Sequence, residues 1–422
     1  MRYSKKTLPN GLRVIAIPLQ ETETVTAIVA VGVGSRHEEG KAAGVAHFAE
    51  HMLFKGTQKR PSALAISEEM DALGAEINAF TGKERTMYYA KADARSLDNI
   101  LDMLGDMYQN SLLEKDELEK EKGTILQELS MYEDAPQRSV GDLFEELLYD
   151  GHSLGREIIG SKETIRAMDR RKMARFLTQN YSGANTVVCV AGKISSAEVF
   201  RKTARIFKGV AKGSKRKFAK IKERQKETQI RIKHKETEQT HLVVGVRAFP
   251  DMHKDRFALG LLGIILGGNM SSRLFVEVRE KRGLAYSIRT ENDSYTDCGY
   301  LATQAGVKHE DAPEVVRLIC QEYAKIAQEG VGEAELAKAK SYLRGRSVMG
   351  LETSDDVALF YAQQEIRRSS IMQLEEILAK YDAVTVKDIK RVARKIFSPE
   401  RLNLALIGPH SATKQLAKEL KL

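Results

Sequence analysis

The sequence predicts an α+β fold of two homologous domains, each with an antiparallel sheet packed against helices. A chain of 422 residues, 42% of them hydrophobic, is too long for one core. Strand-like and helix-like patterns are mixed within each half, and their order in the first half recurs in the second. We therefore predict an N-terminal domain at 1–208, a basic linker at 209–227 and a C-terminal domain at 228–422.

The internal repeat consists of matching strands and helices in the two halves. Three apolar strands and two helices of the first half each have a counterpart of similar pattern in the second. The pairs are 24–33 with 241–249, 88–91 with 300–303, 97–109 with 313–328, 114–131 with a helix from 334, and 185–192 with 402–408.

The stretch His47-Phe48-Ala49-Glu50-His51 indicates a metal site. On a helix, His47 and His51 lie on one face about 6 Å apart along the axis, so they can share one ion. Two neutral imidazoles leave positions for a third ligand and a water, and Glu50 can take the water's proton. The order His-x-x-Glu-His is the inverzincin signature.

The alternative is two histidines on a helix surface. The segment that starts at Gly44 is mostly apolar, and we expect Gly56 to be its C-cap glycine. Burying two histidines and a glutamate in such a helix without a metal or other partners costs several kcal/mol. The surroundings therefore favour the metal site.

A third ligand is expected on the helix from Glu114 to Met131. Glu121 and Glu128 lie two turns apart on one face of this helix. Either glutamate could be a solvated charge, which is the usual state of a glutamate on so charged a helix. Glu128 has apolar neighbours in Ile125 and Leu129, so it is the predicted third ligand.

Several short segments follow one another along the sequence: Gly34-Ser35-Arg36, the run from Val45 to Thr57, Asn78-Ala79-Phe80-Thr81, Glu121 with Glu128, and Glu133-Asp134-Ala135-Pro136. These ordered segments resemble the pitrilysin-type inverzincins, which include the mitochondrial processing peptidase and insulin-degrading enzyme, here as a two-domain chain of bacterial type. The resemblance implies an α+β fold and one zinc ion per chain, held by His47, His51 and Glu128. It also implies that Glu50 is the base that activates water and that Glu121 supports the site.

The second copy of the repeat lacks the metal ligands. Aligning the two copies places Ala339 opposite Glu121 and Arg346 opposite Glu128. The helix predicted near 256–266 contains no histidine. Only the first copy can bind this metal.

Arg279 and Tyr286 match the family's arginine and tyrosine pair, which steadies the substrate carbonyl and its developing oxyanion. By itself an arginine seven residues before a tyrosine has no diagnostic value, so this assignment depends on the resemblance. In family members with four domains, zinc comes from the first domain and the pair from the fourth. This chain has only two such domains, so we expect a homodimer whose active sites are shared between subunits.

The segment 75–80 resembles the family's edge strand, to which a substrate peptide adds as a further strand. We predict Asn78, Ala79 and Phe80 as substrate-binding residues. The alternative is an ordinary edge strand without a ligand.

Composition indicates the cellular setting and excludes some partners. The net charge of +9 is spread along the chain, and no nucleic-acid motif is present. Cys189, Cys298 and Cys320 lack CxxC spacing and are predicted to be reduced core thiols. No signal peptide, presequence or membrane-spanning run is recognisable, so we expect a soluble cytoplasmic protein.

Together these features predict a zinc-dependent endopeptidase that cleaves short or unfolded peptides. The main alternative is a non-catalytic processing-peptidase-like subunit that acts as a binding or structural partner in a larger complex. Such subunits usually lack part of the zinc signature or of the Arg/Tyr pair, and this chain retains both. A third alternative is a peptidase that needs a distinct partner chain, and the presence of Arg279 and Tyr286 argues against that need.

Overall fold

The structure is a computed structural model that describes residues 2–410 and 414–422. Met1 and residues 411–413, which belong to the predicted domain ranges 1–208 and 228–422, lie outside the described residues. About 49% of the chain is helical and 19% is strand, which confirms the predicted α+β class.

The strands are the segments in which β-branched and apolar residues dominate. In chain order they are β1 (Ser4–Thr7), β2 (Arg13–Pro18), β3 (Thr24–Val31), β4 (Glu76–Thr81), β5 (Thr86–Asp93), β6 (Thr186–Gly192), β7 (Gln229–His234), β8 (Thr240–Arg247), β9 (Ala285–Ser294), β10 (Gly299–Val307) and β11 (Leu402–Gly408).

The helices follow the amphipathic segments, and a π-helical turn covers Phe275–Glu280. In chain order they are α1 (Val45–Leu53), α2 (Ala63–Ala72), α3 (Leu97–Asn110), α4 (Lys115–Glu133), α5 (Pro136–Leu148), α6 (Lys162–Arg166), α7 (Arg170–Asn180), α8 (Ser196–Ile206), α9 (Arg256–Gly267), α10 (Ala312–Glu329), α11 (Glu333–Met349), α12 (Ser354–Arg368), α13 (Leu374–Asp382), α14 (Val386–Ile396) and α15 (Lys414–Glu419).

The chain forms two compact units, each assembled from three segments. The first unit consists of Met1–Ser130, Arg156–Phe218 and Val348–Gln373, and the second of Met131–Gly155, Ala219–Ser347 and Leu374–Leu422. The chain passes between the units at five points, and one of these, between residues 218 and 219, falls inside the predicted linker 209–227. The units nevertheless differ from the contiguous predicted domains, because residues 131–155 join the second unit and 348–373 the first.

The second sheet repeats the order of five strands of the first, as the internal repeat predicts, and the first sheet has the additional edge strand β1. The first has the strand order β1-β2-β6-β3-β5-β4, and the second has the order β7-β11-β8-β10-β9. Each sheet is mixed rather than purely antiparallel, because β2 pairs with β6 and β7 with β11 in parallel. The two strands of each parallel pair are far apart in the sequence, so no tight hairpin joins them and requires them to run antiparallel.

Helices cover both faces of each sheet. In the first unit, Ile28 and Ala30 of β3 pack against Val357 and Tyr361 of α12. Val29, which points to the opposite face of β3, is also fully buried. This explains why β3 reads as a continuous apolar run instead of alternating with polar residues.

The second unit shows the same arrangement. Phe144 of α5 packs with Val243 of β8 on one face, while Leu242 and Val244 join the core formed with α9, α10 and α14 on the other. Thus α5, from the first half of the sequence, completes the second unit, and α12, from the second half, completes the first.

Two smaller expectations can be compared with the structure. Cys189, Cys298 and Cys320 are buried and form no disulfide, in agreement with their prediction as core thiols. Across residues 2–410 and 414–422, no helix combines the length and the apolar character needed to cross a membrane.

Candidate metal centre

Helix α1 places the two predicted histidine ligands in the first unit. It begins after Gly44, whose φ of +89° is in the left-handed region and where a Cβ atom would lie 2.4 Å from the Ile159 carbonyl oxygen. Glycine is therefore the residue that fits at this position. The carboxylate of Glu38 accepts hydrogen bonds of 2.8 Å from the backbone N–H groups of Gly44 and Ala46, which satisfies two donors at the start of the helix.

The end of α1 differs from the prediction. Phe54, in right-handed conformation, is the C-cap residue, and Gly56 lies two positions further along the chain. Gly56 has a φ of +130°, and a Cβ atom there would lie 2.8 Å from the Pro61 carbonyl oxygen. The glycine is thus required by the turn after the helix, not by the cap itself.

Helix α4 supplies the acidic residues of the site. The apolar pattern of this helix predicts a buried stripe of Leu118, Ile125, Leu126 and Leu129; all but Leu126 are buried, and Leu126 is half-buried. Glu121 is only 3% exposed, and the side chain of Glu128 is 20% exposed. Both glutamates therefore lie largely away from water, unlike a solvated surface charge.

Three predicted ligands converge. Nε2 of His47 lies 3.6 Å from Oε1 of Glu128, and Nε2 of His51 lies 3.5 Å from Oε2 of the same carboxylate. The possible ligand atoms of these three residues all lie within 4.8 Å of one another. Among the residues that the structure describes, no other group of three or more His, Cys, Asp or Glu side chains is close enough to hold a metal ion.

The donor set fits zinc. Zinc is commonly held by imidazole nitrogens and a carboxylate, and ligand atoms on one tetrahedral zinc ion lie roughly 3.3–3.5 Å apart. The two nitrogen to oxygen distances at Glu128 are close to this separation. His47, His51 and Glu128 therefore could hold zinc without a large rearrangement.

Glu121 orients one of the histidines. Nδ1–H of His51 donates a 2.8 Å hydrogen bond to Oε1 of Glu121, which leaves Nε2 of His51 directed to the ligand group. Nζ of Lys55 forms an ion pair of 2.6 Å with Oε2 of Glu121. A carboxylate that fixes the tautomer and ring orientation of a ligand histidine is a common feature of zinc sites. Glu121 therefore contacts a predicted ligand, and the supporting role that the resemblance implies stays a prediction.

The protonation of His51 and Glu121 reflects this contact. Burial alone would lower the pKa of His51, but its hydrogen bonds to Glu121 and Glu128 raise that pKa to about 9. Burial would raise the pKa of Glu121, whereas the hydrogen bonds with His51 and Lys55 hold it below its usual range. Because a metal binds the neutral imidazole, metal binding at Nε2 of His51 releases this proton.

Glu50, the predicted base, lies on α1 beside His51 and outside the ligand group. Its Oε2 accepts a short hydrogen bond from the hydroxyl of Thr81 at the end of β4. Burial raises the pKa of Glu50, and the hydrogen bond from Thr81 opposes this shift. A partly buried carboxylate with a raised pKa is suited to proton transfer near neutral pH.

The predicted substrate-binding residues lie on an edge strand. β4 is the last strand of the first sheet, paired only with β5 among the described residues. Asn78 is exposed, and Ala79 and Phe80 are half-buried. The edge is therefore available for another strand, and the binding role of these three residues stays a prediction.

Arg279 and Tyr286 belong to the second unit and contact each other there. Nη1 of Arg279 donates a 2.5 Å hydrogen bond to the backbone carbonyl of Tyr286, and its guanidinium lies 5.3 Å from the centre of the tyrosine ring. The side chain of Tyr286 is highly exposed, at 79%. The two members of the predicted pair are thus neighbours, and their catalytic role stays a prediction.

Three residues with clear positions at the site were not assigned from the sequence. Glu38 caps α1, Lys55 pairs with Glu121, and Thr81 binds Glu50. Thr81 stands in the quoted segment Asn78-Ala79-Phe80-Thr81, so its motif was a usable signal. Glu38 lies in an irregular segment before α1, where no periodic pattern points to it.

Comparison with known families assigns both halves of the chain. Residues 13–162, which contain the ligand group, match the family described as "Insulinase (Peptidase family M16)". Residues 167–343 match the family described as "Peptidase M16 inactive domain". The latter range contains Arg279 and Tyr286 but none of the predicted metal ligands.

Similar proteins are named as zinc proteases. An uncharacterized zinc protease of Mycobacterium leprae is 35% identical over 424 residues, which cover 99% of this chain and 94% of that protein. The uncharacterized zinc protease YmxG of Bacillus subtilis is 35% identical over 406 residues, covering 96% and 97% of the two chains. This chain therefore spans nearly the whole length of these relatives.

Solved structures share the complete fold. The crystal structure of a protease from Helicobacter pylori superposes with a TM-score of 0.90 at 25% identity, covering 97% of this chain and 100% of that chain. A Pseudomonas fluorescens structure described as a peptidase M16 inactive domain also gives a TM-score of 0.90, at 20% identity, over 98% of this chain and 99% of the other. The second of these likenesses concerns the fold alone.

Proposed function

This chain belongs to the M16 (insulinase) peptidase family, and from that premise we propose that it is a zinc-dependent endopeptidase that cleaves short or unfolded peptides. The observation that carries the proposal is the convergence of His47, His51 and Glu128 with Glu50 beside them. Two imidazoles, a carboxylate ligand and a separate carboxylate base are the components of a catalytic zinc site.

The chain's own residues hold the reactants and move the proton. Zinc bound by the three ligands would act as a Lewis acid on the scissile carbonyl and would lower the pKa of a water molecule. Glu50 removes the proton from the attacking water at its carboxylate and then delivers it to the leaving amine, so it serves as base and then as acid. Glu121 keeps the ring of His51 in orientation through Nδ1.

Peptide binding is proposed at β4. An extended peptide that pairs with this edge strand receives backbone hydrogen bonds along its length, and side chains near Asn78, Ala79 and Phe80 contact alternate residues. Such pairing requires a substrate segment that is itself extended. Short and unfolded peptides satisfy this requirement, whereas segments inside a stable fold do not.

The proposal is tested by incubating the purified protein with a mixed peptide library, with and without a chelator, and mapping the cuts by mass spectrometry. We expect internal cleavage of extended peptides that stops when zinc is removed and returns when zinc is added. A rigid, disulfide-locked globular protein in the same mixture should stay intact, and the same protein after reduction and unfolding should be cut.

The outcomes separate the candidate functions. Efficient cutting of the locked protein at internal sites would contradict the restriction to extended substrates. A protein that binds zinc but leaves every peptide intact would instead fit the alternative of a non-catalytic processing-peptidase-like subunit, or a peptidase that needs a distinct partner chain.

We also propose that two copies form a homodimer with shared active sites. In this arrangement Arg279 and Tyr286 of one subunit hold the substrate carbonyl and its oxyanion at the zinc site of the other subunit. The contact between the two side chains supports their action as one group.

Complementation tests this sharing. We expect Glu50→Gln and the double variant Arg279→Ala with Tyr286→Phe each to be inactive alone. If sites form between subunits, each hybrid dimer regains one intact site, so random exchange restores roughly a quarter of wild-type activity. Native mass spectrometry of differently tagged variants verifies that subunits have exchanged. A mixture that exchanges fully yet stays inactive would rule out shared sites.

A further inference from the structure

The hydrogen bond between Thr81 and Glu50 joins the proposed base to the proposed peptide-binding strand. Glu50 lies on α1 between the two histidines of the ligand group, and Thr81 is the last residue of β4. The Thr81 hydroxyl donates to Oε2 of Glu50. The proposed base is thus hydrogen-bonded to the strand with which a substrate peptide would pair.

This contact restricts the carboxylate of Glu50. Rotation of a glutamate carboxylate about its last torsion has broad minima, so α1 alone does not fix the plane of the two oxygens. Within residues 2–410 and 414–422, Thr81 is the one group that hydrogen-bonds to Glu50, through Oε2. The bond fixes the plane of the carboxylate and leaves both lone pairs of Oε1 able to accept a hydrogen bond from water.

Thr81 is itself held firmly by the β4–β5 hairpin. It pairs with Thr86 in the antiparallel register, and the N–H of Gly82 donates a 2.8 Å hydrogen bond to the carbonyl of Arg85 across the turn. Thr86 is fully buried, and its hydroxyl donates a 3.0 Å hydrogen bond to the carbonyl of Val33. A hydroxyl on such a rigid element orients its partner better than one on a loop.

We infer that Thr81 is a positioning residue whose hydroxyl aligns the carboxylate of Glu50 for proton transfer, an inference that rests on the proposed endopeptidase function. The same strand then binds the peptide backbone and sets the plane of the base. Thr81 acts on turnover through Glu50 rather than on zinc binding or on peptide affinity. Its predicted effect therefore appears in kcat and not in KM or zinc content.

The test compares Thr81→Val, which removes the hydroxyl but keeps the size and β-branching, with Thr81→Ser, which keeps the hydroxyl. For a peptide cut by the wild type, we expect Thr81→Val to lower kcat about 10- to 100-fold, the usual cost of removing a residue that orients a catalytic group. KM and zinc content should stay near wild type. Thr81→Ser should restore most of the lost kcat.

Thr86→Val is the matched control, because it removes a hydroxyl from the paired residue of the same hairpin, and that hydroxyl donates to the carbonyl of Val33 and not to Glu50. We expect it to lower the midpoint of thermal unfolding while kcat stays near that of the wild type. Thermal unfolding of both Thr81 variants shows whether they retain the fold.

Each outcome bears on the inference. A Thr81→Val protein with wild-type kcat would overturn the positioning role, as would a serine variant as slow as the valine variant or a kcat loss that follows zinc loss. A wild-type protein without chelator-sensitive cleavage would overturn the proposed function and the positioning role with it. An active wild type beside an equally active Thr81→Val would overturn the positioning role alone.

Discussion

Replacing Glu50 with glutamine is expected to leave zinc bound while lowering kcat by about 10³-fold, within the range that general base catalysis contributes. Glutamine keeps the shape of the side chain and its acceptor oxygen for Thr81, but an amide cannot take a proton from water. Glu50 lies outside the group formed by His47, His51 and Glu128, so zinc content should not change. Steady-state kinetics and elemental analysis of the same preparation measure both quantities.

Glu68→Gln provides a matched control for the loss of one negative charge. Glu68 is an exposed glutamate on α2, and its replacement should change neither kcat nor zinc content. Turnover by Glu50→Gln above a tenth of the wild-type rate would remove Glu50 from the role of base. Loss of zinc from this variant would instead place Glu50 among the ligands.

Replacing a zinc ligand is expected to remove the metal itself, whereas Glu50→Gln keeps the metal and loses turnover. We expect His51→Ala and Glu128→Ala each to weaken zinc binding by more than about 100-fold, beyond the effect of removing a residue that only orients a ligand. Activity should fall with the metal. The fold should largely persist, because the first unit has an apolar core of its own away from these residues.

The comparison requires zinc titration and thermal unfolding of both variants. His234→Ala serves as the control, because His234 is a largely exposed histidine of the second unit and is not part of the ligand group. Full zinc occupancy in both His51→Ala and Glu128→Ala would show that the ligands have been chosen wrongly.

The closeness of the predicted ligand residues follows in part from helical periodicity. His47 and His51 are one turn apart on α1, and Glu121 and Glu128 are two turns apart on α4, so each pair shares a face by local geometry alone. The choice of Glu128 over Glu121 depended on its neighbours and on the family resemblance. In the structure Glu121 contacts a ligand histidine, and Glu128 joins the ligand group.

The contacts of Glu50 with Thr81 and of Glu38 with the start of α1 could not be predicted in this way. Thr81 reaches Glu50 because the register of the β4–β5 hairpin and the packing of α1 bring the two residues together. Glu38 reaches the N–H groups of Gly44 and Ala46 through an irregular segment. Neither relation has a sequence period, because each depends on tertiary packing.

The positions of α5 and α12 show the same limit at the level of the fold. Their apolar residues, such as Phe144 and Tyr361, correctly indicate a buried face. Periodicity shows that a face is buried but not which sheet covers it. The assignment of each helix to the half that encodes it was therefore the simplest interpretation, and the structure places each in the other unit.

Helix α12 is encoded in the second half of the sequence but belongs to the first unit, and this affects how the chain folds during synthesis on the ribosome. All strands of the first sheet have been synthesised once Gly192 has emerged, yet Val357 and Tyr361, which cover Ile28 and Ala30, come much later. Because synthesis proceeds at about 5–20 residues per second, one apolar face of this sheet stays exposed for on the order of ten seconds before α12 can pack against it. Nascent chains stalled between these points should expose that face to chaperones, and chains from which the residues up to 373 have emerged should not.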